Sequence, residues 1–80
     1  MKTVVNRYLK CTAEIETCPE LKVGDLLWKE RYEILPGGYE YVCCIRRSDG
    51  ALIKFRIDHL DDCFEIVEVE DPWYRRWRCV

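Results

Sequence analysis

The stretch Tyr39–Asp58, YEYVCCIRRSDGALIKFRID, decides the fold. Two runs of aliphatic and aromatic residues flank Ser48-Asp49-Gly50, and Asp-Gly pairs adopt the backbone angles of tight hairpins. We predict a three-residue loop with Gly50 in the left-handed conformation, which sets Arg47 opposite Ala51. In this register six apolar side chains share one face of the hairpin: Tyr41, Cys43, Ile45, Ile53, Phe55 and Ile57. The other face is then mixed and mildly basic: Val42, Cys44, Arg46, Leu52, Lys54 and Arg56.

Patterns outside this hairpin predict further short strands. Tyr8–Ile15 alternates with the two-residue period of a half-buried strand. A second strand is expected to start near Leu26 and to end before the turn Pro36-Gly37-Gly38. His59–Asp62 predicts a single helical turn, and Phe64–Glu70 predicts a last strand with glutamates at its edge. Five or six short strands without a long helix predict an all-β fold, a small closed barrel.

The size of the chain limits it to one domain, because 80 residues bury only about 60–65% of the surface of the unfolded chain. We expect the barrel in residues 1–70 and a basic, aromatic tail in residues 71–80. The first residues contain no apolar stretch typical of a secretion signal, so we expect a cytoplasmic protein whose cysteines are reduced and buried. There are six of them: Cys11, Cys18, Cys43, Cys44, Cys63 and Cys79.

Three segments, "YLKC", "LKVGDLL" and "HLDDCFEIVEV", resemble in order and spacing the small SH3-like barrel proteins of phages and prophages of Gram-positive bacteria. The resemblance spans Tyr8 to Glu68. The residues that carry it are Lys10, Cys11, Gly24, Gly50 and Phe64-Glu65-Ile66-Val67. It implies an SH3-like fold of five or six strands and a phage origin, and it implies no catalytic residues.

Signatures of metal binding and catalysis are weak. Structural zinc sites show paired ligands such as C-x2–4-C, whereas here the adjacent pair Cys43-Cys44 points to opposite faces of a strand and His59 precedes Cys63 by four positions. A Cys-His nucleophile built from His59 and Cys63 would need a substrate cleft, for which a small barrel offers little volume. We therefore predict no metal, no cofactor and no enzymatic activity.

The tail DPWYRRWRCV carries a net charge of +2, whereas residues 1–70 sum to −4. Asp71 as N-cap and Pro72 as first helical residue would start a short helix with Trp73 and Trp77 on one side. These two tryptophans would either close an open end of the barrel or contact a partner. The residues predicted to contact a partner are Trp73, Tyr74, Arg75, Arg76, Trp77 and Arg78.

These features favour a phage-encoded binding module that inhibits or redirects a host protein, for example one of a defence system, in the host cytosol. An alternative is a small oligomer that sequesters a nucleotide signal through Tyr39, Arg46, Arg47, Lys54 and Arg56. A third interpretation, a nucleic-acid-binding accessory factor, is disfavoured because residues 58–71 hold seven carboxylates and no Lys or Arg. The tail is also too short and too charged for membrane binding.

Overall fold

The computed structural model describes residues 2–73 of the chain, which form one antiparallel sheet. Its strands are β1 (Thr3–Cys11), β2 (Leu26–Ile34), β3 (Glu40–Arg46), β4 (Leu52–Arg56) and β5 (Phe64–Pro72). Their order across the sheet is β4-β3-β2-β1-β5. Within these residues the helical content is a single 3-10 turn at Ile57–His59. The predicted all-β class is confirmed.

The sheet curls strongly but is not closed into a barrel. Among residues 2–73, β4 and β5 are the two edges of the sheet, and no ladder of hydrogen bonds joins them. The ring of Phe55 on β4 nevertheless stacks on the ring of Phe64 on β5, with centroids 4.6 Å apart and planes at 21°. The two edge strands therefore meet across the core through aromatic side chains.

The core is completed by the segment between β1 and β2. Ile15, Cys18 and Leu21 follow one another at three-residue intervals, and all three are buried. The Cys18 N–H donates to the Ile15 carbonyl and the Leu21 N–H to the Cys18 carbonyl, so two consecutive tight turns point the three side chains inwards. They pack with side chains from the strands: Cys11, Leu27, Val42, Cys44, Ile53, Phe55, Cys63 and Phe64.

The predicted register of the central hairpin is wrong by one residue. Ile45 lies opposite Leu52, and the Arg46 N–H donates to the Ala51 carbonyl. The loop has four residues rather than three, because the Gly50 N–H reaches back to the Arg46 carbonyl. The predicted left-handed Gly50 is present, with φ of 73°.

This shift exchanges the faces of β3. Val42 and Cys44, rather than Tyr41, Cys43 and Ile45, share the core face with Ile53 and Phe55. A two-residue period turns every side chain over when the register slips by one position. Cys43 is still fully buried, on the opposite face beside Lys54 and Arg31.

The predicted ends of two elements also differ. The first strand spans Thr3–Cys11 instead of Tyr8–Ile15, since each of its residues pairs with β5, from Thr3 opposite Pro72 to Cys11 opposite Phe64. The helical turn predicted at His59–Asp62 lies two residues earlier, at Ile57–His59. The second strand begins at Leu26 as predicted and ends before the two-glycine turn.

Asp71 and Pro72 do not begin a helix. Both residues extend β5, with Asp71 opposite Val4 and Pro72 opposite Thr3. The Asp71 side chain is fully buried and accepts hydrogen bonds from other side chains, so it does not act as a helix cap. The expected pairing of Trp73 with Trp77 on a helix falls largely outside the described residues.

Candidate interaction surface

A fork between β1 and β2 positions the candidate surface. In the described part of the chain the ladder between these two strands consists of Leu9–Leu27 and Lys10–Leu26. Beyond it, β1 continues as a ribbon with β5, and β2 continues as a ribbon with β3. Two adjacent strands therefore separate into two arms, and a cleft opens where they part.

The cleft at the fork has a volume of about 280 Å³. It is lined by two aromatic, two cationic and two aliphatic side chains: Arg7, Tyr8, Leu9, Trp28, Lys29 and Ile66. The side chain of Ile66 is 70% exposed, whereas Trp28 is half-buried. Tryptophan, tyrosine and arginine are the residue types that most often dominate the energetics of protein interfaces. The lining thus has the composition of a protein-binding surface.

A buried polar cluster supports the cleft from the side of Tyr8. The hydroxyl of Tyr8 donates a short hydrogen bond to Oδ2 of Asp71, and Asn6 Nδ2 donates to the same oxygen at 2.8 Å. Arg47 donates to Oδ1 through Nε at 3.1 Å and through Nη2 at 2.5 Å. Burial by itself would raise the pKa of Asp71, but the hydrogen bonds from Arg47, Asn6 and Tyr8 lower this pKa to about 2. The carboxylate is therefore ionised at neutral pH.

Sequence reasoning missed this cluster. Its members come from β1, from the loop of the central hairpin and from the end of β5, so no local spacing joins them. The available signal was the strand pattern Asn6-x-Tyr8, which places two polar side chains on one face of β1. Asp71 was instead interpreted as a helix cap because it precedes a proline.

The cluster also fixes the start of the predicted partner-binding tail. The Trp73 N–H donates to the Lys2 carbonyl at 3.3 Å, and the Trp73 side chain is 58% exposed. The structure thus presents this aromatic residue at the surface, at the end of the ribbon formed by β1 and β5. The remaining predicted partner residues lie outside the described residues: Tyr74, Arg75, Arg76, Trp77 and Arg78.

The five residues predicted to bind a nucleotide fall into two groups. Arg46 and Arg47 lie at the loop of the central hairpin. Arg46 contacts Asp25 at 3.2 Å and Asp49 at 2.8 Å, while Arg47 contacts Asp71. The hydrogen bond from Arg46 lowers the pKa of Asp49 to about 2. Both guanidinium groups are thus neutralised by carboxylates of their own chain.

The second group is brought together at the opposite end of the hairpin. Arg56 lies over the ring of Tyr39, 4.8 Å from its centroid, and contacts Asp58 at 3.0 Å. Lys54 contacts Glu33 at 2.9 Å, and this bond is the main cause that lowers the pKa of Glu33. Tyr39, Lys54 and Arg56 therefore share one region of the surface, away from the other two arginines.

The arm formed by β2 and β3 exposes an apolar tip that sequence reasoning did not identify. Tyr32 is 51% exposed, Ile34 74%, Leu35 39% and Tyr39 52%. Contiguous exposed apolar residues on a soluble domain mark interaction sites. The signal in the sequence is the pair Ile34-Leu35 directly before the turn Pro36-Gly37-Gly38, where polar residues are usual.

The cysteines of the described residues are free thiols and all are buried: Cys11, Cys18, Cys43, Cys44 and Cys63. Burial raises the pKa of the Cys44 thiol to about 12. Burial is also the main reason why the pKa of the Cys18 thiol is raised to about 11. These two thiols are protonated, and hence weak nucleophiles, at neutral pH. Among residues 2–73, no three His, Cys, Asp or Glu side chains are grouped to hold a metal ion.

Comparison with known proteins gives no further assignment: no protein family, no curated protein and no solved structure matches the chain. Within residues 2–73, no helix has the length and apolar character needed to cross a bilayer.

Proposed function

We propose that the protein is a non-catalytic binding module with SH3-like barrel architecture, encoded by a phage, that inhibits or redirects a host protein by direct contact. The observation that carries the proposal is the cleft at the fork of β1 and β2, whose accessible lining combines half-buried Trp28 with exposed Arg7 and Ile66. The resemblance of the sequence to phage barrel proteins supports the origin. A host defence protein is the partner that this origin favours.

The surroundings of the cleft add apolar surface for a partner. Along the ribbon formed by β1 and β5, the side chains of Val5, Ile66 and Trp73 are 57%, 70% and 58% exposed. Val5 and Ile66 share a face of this ribbon, because Leu9 pairs with Ile66 and alternate residues of β1 point the same way. A partner that covers this face would remove apolar surface from water, which contributes a favourable free energy of about 25 cal/mol per Å².

The curled sheet supports the SH3-like architecture. Five short antiparallel strands follow one another with a 3-10 turn before the last, and the stacked rings of Phe55 and Phe64 bring the two edge strands together. In such a fold, loops and open edges carry the contacts with partners, while the core holds the shape. The thiols of Cys18 and Cys44 are buried and protonated, which supports a role in which neither acts as a nucleophile.

The test is capture of a host protein by tagged variants. Arg7→Glu with Lys29→Glu reverses both cations of the cleft, whereas Lys22→Glu with Lys10→Glu makes the same change at exposed positions outside it. The wild type and the control pair are expected to retain one specific host protein that the cleft pair loses. Equal recovery by all three proteins would refute the role of the cleft, and a chain ending at Trp73 measures what residues 74–80 add.

A second candidate function is favoured by the placement of Tyr39, Lys54 and Arg56 on one surface. An aromatic ring beside two cations stacks on a base and pairs with phosphate, which here would replace Glu33 at Lys54 and Asp58 at Arg56. In this function the chain would sequester a nucleotide signal as a small oligomer. Mass spectrometry of the supernatant after denaturation, together with thermal shift across signal nucleotides, tests it; Arg56→Ala is expected to abolish any shift. If no nucleotide is released and no signal nucleotide shifts the melting temperature, this function is rejected.

A further inference from the structure

Beyond the fork, one edge of β2 is open in the described residues. One side of Lys29–Ile34 pairs with β3, with a β-bulge at Glu30 between Lys29 and Arg31, and the ladder with β1 ends at Leu27. In the part of the chain that the structure describes, no strand pairs with the other side of this segment. An exposed strand edge carries backbone N–H and C=O groups that are ready to pair with another strand.

The sequence of this edge is complementary to itself. When two copies pair through a two-fold axis perpendicular to the sheet, residues that face each other must have side chains on the same face. Because side chains alternate along a strand, this condition holds only when both residue numbers are even or both are odd. With Tyr32 opposite Tyr32, Arg31 of each copy lies opposite Glu33 of the other. Opposite charges in directly facing positions stabilise a strand pair.

We propose that two copies of this chain form a symmetric dimer through antiparallel pairing of their β2 edges, with Tyr32 on the two-fold axis and Arg31 facing Glu33 on both sides. The occupant of the edge is thus a second copy of the chain. Within one chain, Arg31 Nη2 already lies 3.0 Å from Glu33 Oε1. In the dimer these two ion pairs meet around the axis, together with the contacts of Arg31 with Glu30 and of Glu33 with Lys54 in each chain.

Neighbouring registers are unfavourable. A shift in one direction sets Arg31 against Arg31 on the axis, and a shift in the other direction sets Glu33 against Glu33. Like charges that face each other directly destabilise a strand pair. The alternation of charge at Arg31 and Glu33 therefore favours this register over its two neighbours, which distinguishes this edge from a general aggregation site.

The exposed apolar tip supplies the hydrophobic part of the interface. Tyr32 and Ile34 share a face of β2 and are 51% and 74% exposed, and pairing places Tyr32 beside its symmetry partner. Leu35, 39% exposed, extends the contact past the end of the strand. The interface remains small by the standard of about 1,200–2,000 Å² for stable complexes, so we expect association in the micromolar to millimolar range.

The proposal does not depend on the binding function, since Arg31, Tyr32 and Glu33, which face each other across the axis, lie outside the lining of the cleft, although Lys29 of that lining donates to the Tyr32 hydroxyl at 3.0 Å. Sedimentation velocity across micromolar to millimolar concentrations should show a monomer–dimer equilibrium. Arg31→Glu and Glu33→Arg should each weaken the dimer by about tenfold or more, because each creates like-charge pairs at both positions. Lys22→Glu, a charge reversal at an exposed position between β1 and β2, should leave the equilibrium unchanged.

The decisive measurement mixes the two variants. The Arg31→Glu chain and the Glu33→Arg chain repel themselves but complement each other, so native mass spectrometry should show a heterodimer at concentrations where each variant alone is monomeric. Circular dichroism melts establish that both variants are folded. A wild type that stays monomeric throughout, or folded variants that do not form the heterodimer, would overturn the proposal.

Discussion

Arg47 and Asp71 are separated by 24 residues in sequence, yet Nε of Arg47 lies 3.1 Å from Oδ1 of Asp71, whose carboxylate is fully buried. The second carboxylate oxygen accepts hydrogen bonds from Asn6 and Tyr8. A buried charge is tolerated when it is both paired and fully hydrogen-bonded. This cluster joins the loop of the central hairpin to the middle of β1 and the end of β5, and so fixes the arm that forms one side of the cleft.

Removing the carboxylate should therefore destabilise the whole domain. Asp71→Asn leaves the Arg47 guanidinium, which is 31% exposed, without its counter-charge. We expect a loss of about 2–3 kcal/mol in the free energy of unfolding, less than for a completely buried pair because water screens Arg47 in part. Urea denaturation measures it. Asp58→Asn removes a carboxylate that pairs with Arg56 at the surface and should cost less than about 0.5 kcal/mol; equal losses would contradict the assignment.

The same carboxylate predicts a dependence of stability on pH. The pKa of Asp71 is about 2 in the folded protein, below its value in the unfolded chain, so the unfolded state binds the proton more readily. A contribution of order 2 kcal/mol is then fully present above about pH 5 and is lost as the pH falls from about 4 towards 2. Asp49 and Glu33 act in the same direction. The free energy of unfolding is measured against pH for the wild type and for Asp71→Asn, and the contribution of Asp71 is the difference between the two slopes. Parallel curves would exclude this contribution.

The all-β class and the approximate places of the strands along the chain were predictable from the sequence, but the register of the hairpin was not. Alternation in β3 is ambiguous, because Tyr41, Val42, Cys43, Cys44 and Ile45 are all apolar and either parity gives an apolar face. The loop decides the parity. Asp49 accepts the Ala51 N–H at 3.0 Å and binds the Arg46 guanidinium, which stabilises a four-residue loop. The pattern of apolar and polar residues along the chain does not reveal such side-chain contacts, so it cannot predict the length of the loop.

The candidate surface was less predictable than the fold. The cleft depends on where β1 and β2 separate, after the pair Leu9–Leu27, and the sequence of both strands remains strand-like beyond that point. Trp28 and Ile66 reach one cleft only through this geometry. Trp73 is exposed directly after the end of the last strand, and its contact with a partner stays a prediction.

The contact between the edge strands predicts an unusual sensitivity at Phe55. Its ring stacks on Phe64 from the opposite edge of the sheet, so truncation weakens both the core and the curl of the sheet. Phe55→Leu should cost about 1–2 kcal/mol, and Phe55→Ala about 3–5 kcal/mol, which can unfold a domain of this size. Leu52→Ala, on the same strand but 53% exposed, is the control and should cost far less. Thermal unfolding monitored by circular dichroism ranks the three variants, and a Phe55→Leu protein as stable as wild type would refute the contact.

The buried thiols predict that chemical modification follows unfolding. In a Cys79→Ser background, the remaining cysteines are the five that the structure shows as buried. At pH 8 the thiols of Cys18 and Cys44 are almost entirely protonated in the folded protein, since burial raises the pKa of each. A thiol-reactive chromophore should therefore react slowly and with all five cysteines together, at a rate set by global opening. Combining the background with Asp71→Asn should accelerate the reaction in proportion to the lost stability. Rapid modification of a single cysteine in the folded protein would instead reveal a reactive thiol and argue for a thiol-based activity.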